Sequence, residues 1–166
     1  METMKRNGLD RIVGPVGMLL SLLMVLVFVL SLTVQDKQSN AEFTDVSAAV
    51  LETLDVSEMQ EADNQMIKRL YGLTPSDYAG VFVWYPTTNM GAEEVLIVKL
   101  NDMSQQEAVA AAAQARLATQ LNTFEGYGVE QVALLEKAVI EVRGNYILFV
   151  CNDNVDAAVR AFLDAL

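Results

Sequence analysis

The sequence predicts an α+β domain, a four-stranded and mostly antiparallel sheet with helices, set behind an N-terminal transmembrane helix. Three observations predict it. Ile12 to Val34 is a run without a single charged residue, about 34 Å long as a helix and so able to cross a hydrocarbon core of ~30 Å. Beyond it, four short runs rich in β-branched and aromatic residues are bounded by Pro, Gly, Asn or Asp, as strands are. Between and around those runs, apolar residues recur at three- and four-residue steps, the period of an amphipathic helix. The predicted order is helix, helix, strand, strand, helix, strand, strand, helix.

Residues 1–11 form a short tail carrying Lys5, Arg6 and Arg11. Basic flanks stay on the cytoplasmic side, so the tail is expected inside the cell membrane and everything after the span outside, a single-pass arrangement. The apolar run of residues 12–34 exceeds the ~7 to 15 residues of a signal-peptide core, which favours an uncleaved signal anchor. Ser39-Asn40-Ala41 is a small-residue stretch where processing could instead occur. Gly14 and Gly17 lack the four-residue spacing of a close-packing helix pair. Residues 35–43 read as a polar tether, and 44–166 as one extracytoplasmic domain, long enough to bury its own core.

In that domain Val46, Ala49, Val50 and Leu54 mark a first helix. Ser57 with Gln60 has the spacing of a capping box for a second, with Met59, Met66, Ile67 and Leu70 on one face and Gly72 as its stop. Thr74-Pro75 begins a turn. Gly80 to Tyr85 is a strand ended by Pro86, and Glu94 to Leu100 is the next. The loop between them is longer than a tight hairpin needs, which marks it as a place for function. Ser104 with Glu107 suggests the cap of a long helix to about Phe124, with Val109, Ala113, Leu117 and Leu121 on one face. Glu125 to Gln131 is a loop running into a helical turn through Val132 to Leu135. Ala138 to Arg143 and Tyr146 to Cys151 form a hairpin across Gly144-Asn145, and Val155, Val159, Phe162 and Leu166 mark a last helix.

Two stretches, VLIVKLND and YILFVCND, each follow another strand and precede a helix, so the plan of strand, strand, helix occurs twice. GVFVWY and YILFVC are apolar on both faces, whereas EVLIVKL and AVIEVR carry charges. That pattern places the first and fourth strands inside the sheet and the second and third at its edges. The two later helices are expected on one face, and the helical pair from Thr44 to Leu70 on the other.

After Val34 come eight basic and 20 acidic residues, a net charge of −12. Such a surface repels phosphate backbones, which excludes nucleic acid as a natural partner, and it keeps an exported domain soluble. Cys151 is the only cysteine, so no intrachain disulfide forms, and with no histidine in the chain to activate it, a buried hydrophobic role fits it best. No nucleophile elbow, P-loop, C-x-x-C pair or dinucleotide fingerprint is present, and no cofactor or metal is indicated. The carboxylates Asp77, Glu93, Glu94 and Glu125 fall in or beside loops, and two acids suitably spaced can hydrolyse a glycosidic bond. Asn89, Glu93 and Glu94 offer hard oxygen ligands to a cation, without the pattern of a calcium loop. Trp84, Tyr85, Asn89, Glu93, Phe124, Glu125 and Tyr127 mix aromatic and polar groups near loop ends, as binding sites do. The plainer account is that Trp84 and Phe124 are core while Tyr85 and Tyr127 sit at its rim.

Along RLYGLTPSDYAG, Asn89-Met90 with nearby acids, FEGYGVEQ, LLEKAVI and RGNYILFV, the chain resembles a bacterial family of membrane-anchored extracytoplasmic proteins defined only as a domain of unknown function. The resemblance runs from about Phe43 to Leu166. It implies an N-terminal lipoprotein signal or single anchor followed by this one domain, with no assigned activity. This chain lacks the lipidated cysteine, which leaves the helix as the implied tether. The expected function is a non-catalytic binding or interaction module at the cell envelope, with the membrane and an exported protein or envelope component as partners. The alternatives are a carboxylate-dependent envelope hydrolase and a small-ligand or cation sensor.

Overall fold

The computed structural model describes residues 38–166 and the single position Met24. The predicted tail 1–11, the remainder of the span 12–34 and the start of the tether lie outside the described residues. Among the described residues no helix is long and apolar enough to cross a membrane. The domain runs α1 (Phe43–Leu51), β1 (Met59–Glu61), α2 (Asn64–Tyr71), β2 (Gly80–Pro86), β3 (Glu94–Lys99), α3 (Gln106–Phe124), α4 (Val129–Leu135), β4 (Val139–Arg143), β5 (Tyr146–Cys151) and α5 (Val155–Asp164), with short 3-10 turns at Pro75–Asp77 and Met103–Gln105.

The sheet has five strands rather than four, all antiparallel, in the order β1-β2-β3-β5-β4. The additional strand is β1, where Met59, Gln60 and Glu61 pair with Pro86, Tyr85 and Trp84. Residues expected to open the second helix are therefore extended, and the helix starts at Asn64. Its cap is Asp63, whose Oδ1 accepts from the Met66 N–H at 2.7 Å, and not Ser57, whose own N–H is donated to Asp55. Gly72 ends the helix in the left-handed region at φ 71°, a conformation that costs glycine nothing. The capping box before α3 likewise sits two residues earlier than Ser104 and Glu107 suggest. Asp102 accepts from the Ser104 N–H, and the Gln105 side chain accepts from the Asp102 N–H.

The strand order corrects the expectation from charge. β3 is the central strand, not an edge, while β2 is internal as expected. β5 is internal and β4 is an edge, as expected. β3 tolerates its two charges in the interior because both are satisfied. Glu94 is paired with Arg116, and Lys99 Nζ donates to the Ala41 carbonyl at 2.8 Å while lying 5.5 Å from the Tyr146 ring centroid.

Alternate residues of β3 and β5 build two cores. Leu96, Val98, Ile147 and Phe149 face α2, α3 and α4 through Ile67, Tyr71, Val109, Ala113 and Leu135. Val95, Ile97, Leu148 and Val150 face α1 and α5 through Val46, Val50, Ala158 and Phe162. The two later helices thus cover opposite faces, and the two early helices divide in the same way, α1 packing on α5 and α2 on α3. The repeated strand, strand, helix plan becomes two hairpins meeting at β3 and β5, with one helix sent to each face.

Residues 38–42 are pinned rather than a free tether. The Ser39 N–H donates to Asn145 Oδ1 and its hydroxyl to the Leu166 carbonyl, while the Tyr146 hydroxyl donates to the Ala41 carbonyl at 2.7 Å. The chain therefore enters the domain at the end of the sheet where β3 finishes and β5 begins.

Candidate functional site

At the opposite end of the sheet, where β2 finishes and β3 begins, α2, α3 and the β2–β3 loop enclose an open groove of about 540 Å³. Pro86 has no N–H to continue the ladder, so the chain leaves β2 there. The Thr87 N–H and hydroxyl both donate to the Glu58 carbonyl, which fixes the start of the loop. Gly91 lets the loop fold back, because a Cβ there would stand 2.5 Å from the Pro86 ring. Arg69 and Leu70 enter from α2, and Arg116, Gln120 and Phe124 from α3, where the four-residue spacing aligns them on one face. Thr88, Asn89 and Tyr85 complete the wall, with Gln60 of β1 at the rim. Among the described residues, no aspartate or glutamate lines this groove.

Beneath it lies Glu94, only 1% exposed. Arg116 holds it by two nitrogens, with Nη2 2.6 Å from Oε2 and Nε 2.9 Å from Oε1. The Tyr71 hydroxyl donates to Oε1 at 2.5 Å, and Gln120 Nε2 lies 3.5 Å from Oε2. Burial pushes the Tyr71 phenol well above its ordinary value, and the neighbouring Glu94 charge adds to the shift, so Tyr71 stays a donor. Burial acts to lower the Arg116 pKa, but Glu94 overrides it and the guanidinium is held above its usual value. The pairing leaves Arg116 a fixed cation at the groove floor. It is a support, since the carboxylate is fully occupied and none of its partners takes or gives a proton near neutral pH.

Residues 52–152 match the family described as a domain of unknown function, DUF4358. The chain belongs to the DUF4358 family. The match takes in all five strands and every residue lining the groove, and it leaves out α1 and α5. No curated protein and no solved structure matches the chain.

Within this DUF4358 domain the residues predicted from sequence divide among several places. Tyr85, Asn89 and Phe124 meet in the groove. Trp84 points to the other face of the sheet, among the residues packed against α1 and α5, because neighbours on a strand alternate. Its indole N–H is buried and has no hydrogen-bond partner among the described residues. Glu93 lines separate depressions, one beside Glu130 and Gln131 and one beside Glu58 and Asp153, and its Oε2 accepts from the Ala92 N–H. Glu125 and Tyr127 border an apolar hollow between the end of α3 and α4.

The four loop carboxylates form no catalytic pair. Glu94 is spent on Arg116 and Tyr71, Glu93 and Glu125 line different hollows, and Asp77 lies by the start of β2, where its carbonyl accepts from Asn101 and Gln105. The cation trio of Asn89, Glu93 and Glu94 separates for the same reason, and among the described residues no group of three Cys, Asp or Glu side chains is placed to hold a metal. Cys151 is buried beside Glu94, its register partner across β3 and β5, and burial together with the carboxylates of Glu94, Glu93 and Asp153 pushes the thiol up to about 12.

Arg69, Arg116, Gln120 and Gln60 were not legible as site residues. The available signal was Arg116 itself, the lone basic residue in a 19-residue helix whose buried residues are Val109, Ala113, Gln120 and Phe124.

Proposed function

We propose that this DUF4358 domain is a non-catalytic binding module, displayed on the outer side of the membrane by the apolar segment 12–34 and docking an exported or envelope protein in the groove between α2 and α3. The observation that carries this reading is a groove free of carboxylates and bearing two arginines, in a chain whose portion after Val34 has a net charge of −12. Random placement of acidic side chains would put some of them there, and solubility alone gives no reason to clear them from a concave site. The groove also lies at the end of the sheet remote from residues 38–42, about 20 Å away along strands of six residues, so a partner can reach it without passing the point of attachment. The dispersed carboxylates favour binding over hydrolysis.

A photo-crosslinking residue at Thr88, in the groove, and another at Asp164, at the end of α5, test the proposal in intact cells. Discrete adducts from position 88 and none from 164 are expected. Adducts from neither position, or equal adducts from both, overturn it. Protease added outside intact cells should remove the domain, and survival of the C-terminal end would overturn the display.

A further inference from the structure

We infer that the groove and the apolar hollow that adjoins it together take an extended polypeptide segment in which an acidic side chain lies within two positions of a large apolar one. The inference rests on the binding-module reading above and names the chemistry of its ligand. Phe124, 1% exposed, is the wall the two parts share, lining the groove on one side and the hollow of about 390 Å³ on the other. The hollow is walled by Tyr127, 60% exposed and 5.9 Å from Phe124 between ring centroids, and by Val129, 80% exposed. Met90, 58% exposed, is drawn to the same end of the molecule because its carbonyl accepts from Gln131 of α4. Apart from Leu163 and Met24, these three are the large apolar side chains that the described residues leave in water. Their collection at one end, against a groove rather than scattered, is the signature of a docking surface.

The charge of the segment follows from the groove. Arg69 is exposed and makes no ion pair among the described residues, and no carboxylate shares the groove with it. An acidic side chain finds a cation there and no repulsion at contact distance, whereas a basic one finds no counter-charge. Gln120 adds an acceptor. Gln120 lines the groove, and its Oε1 accepts no hydrogen bond among the described residues, which leaves it for the N–H of an extended backbone. A saccharide would use the amides and hydroxyls of the groove but has no use for Val129 and Met90.

The test takes the full-length chain in detergent micelles and a bead library of random hexapeptides, sequencing bound and unbound beads. Bound peptides should be enriched about fivefold in Asp or Glu lying within two positions of Leu, Ile, Phe or Met, the ratio that one exposed ionic contact supports. Arg69→Gln should abolish the acidic enrichment and keep the apolar one, and the pair Tyr127→Ala with Val129→Ser should do the reverse, each variant retaining the parent melting temperature within a few degrees. Enrichment of basic or uncharged peptides, or acidic enrichment that survives Arg69→Gln, overturns the ligand chemistry while leaving the binding module standing. Failure to capture any peptide, with chitotetraose raising the melting temperature instead, also overturns it and gives the groove to glycans. Failure of the crosslinking at position 88 removes the reading on which both rest.

Discussion

Glu94 opens the central strand of the sheet with three side chains converging on its carboxylate, and so it sets a strict requirement on its neighbours. Removing one partner of a buried pair leaves the other charge uncompensated, so Arg116→Leu should cost about 3–5 kcal/mol in urea unfolding. Glu94→Leu combined with Arg116→Leu should cost clearly less than the two single changes added together, because the double variant strands no charge. Titration gives a second test. Tyr71 is held above its ordinary value of 10.0 by burial and Glu94, while Cys151 rises from 9.0 to about 12 and Tyr146 from 10.0 to about 12, burial leading in both. The folded state binds these protons more tightly than the unfolded chain, so the stability they supply is complete below about pH 9 and is lost as pH climbs toward 12. Urea midpoints between pH 8 and 11 should fall, and Tyr71→Phe should flatten part of the fall. Cys151 should resist thiol reagents until the domain unfolds.

The elements were legible where a local rule governs them and displaced where a side chain had to choose among nearby partners. Gly72, the hairpin at Gly144 and the helices ending at Phe124 and Asp164 follow from turn chemistry and period. β1 does not, because three residues carry too little pattern to show a strand, and Met59 at helical spacing from Met66 and Leu70 suits either form. β2 shows a close approach that no periodicity reveals. A Cβ at Gly80 would stand 2.5 Å from the ring of Phe43, the first residue of α1. Gly80→Ala should therefore destabilise by about 1–3 kcal/mol through overpacking, and Phe43→Leu in the same chain should recover part of it, read from paired thermal melts. Asp63→Ala, which removes the cap of α2, should cost about 1 kcal/mol by the same measurement.

At the scale of the whole molecule, one sheet supports two cores of different standing. The segment matching DUF4358 contains the sheet and the helices α2 to α4, while α1 and α5, which cover the second face, lie outside it. A fragment of residues 52–152 would leave Val95, Ile97, Leu148 and Val150 without cover. It should bind a hydrophobic dye and elute as aggregates in gel filtration, whereas 38–166 should elute as a compact species. The functional end is set at this scale too. The strands run far enough to put the groove and the apolar hollow at one end of the domain and the entering chain at the other, and neither position is visible in any single element.

The sequence by itself determined the class of fold, the hairpin, the long helix, the acidic balance and the burial of β5 on both faces, since each follows from composition, local propensity or a period of two or 3.6. Only the tertiary structure decided the order of the strands, the face each helix covers and the residues that meet in the groove. Charge in a strand marks an edge only if nothing inside can neutralise it. Whether Arg116 and Tyr71 stand over Glu94, and whether the Ala41 carbonyl waits for Lys99, depends on chain that is 22 to 58 residues away.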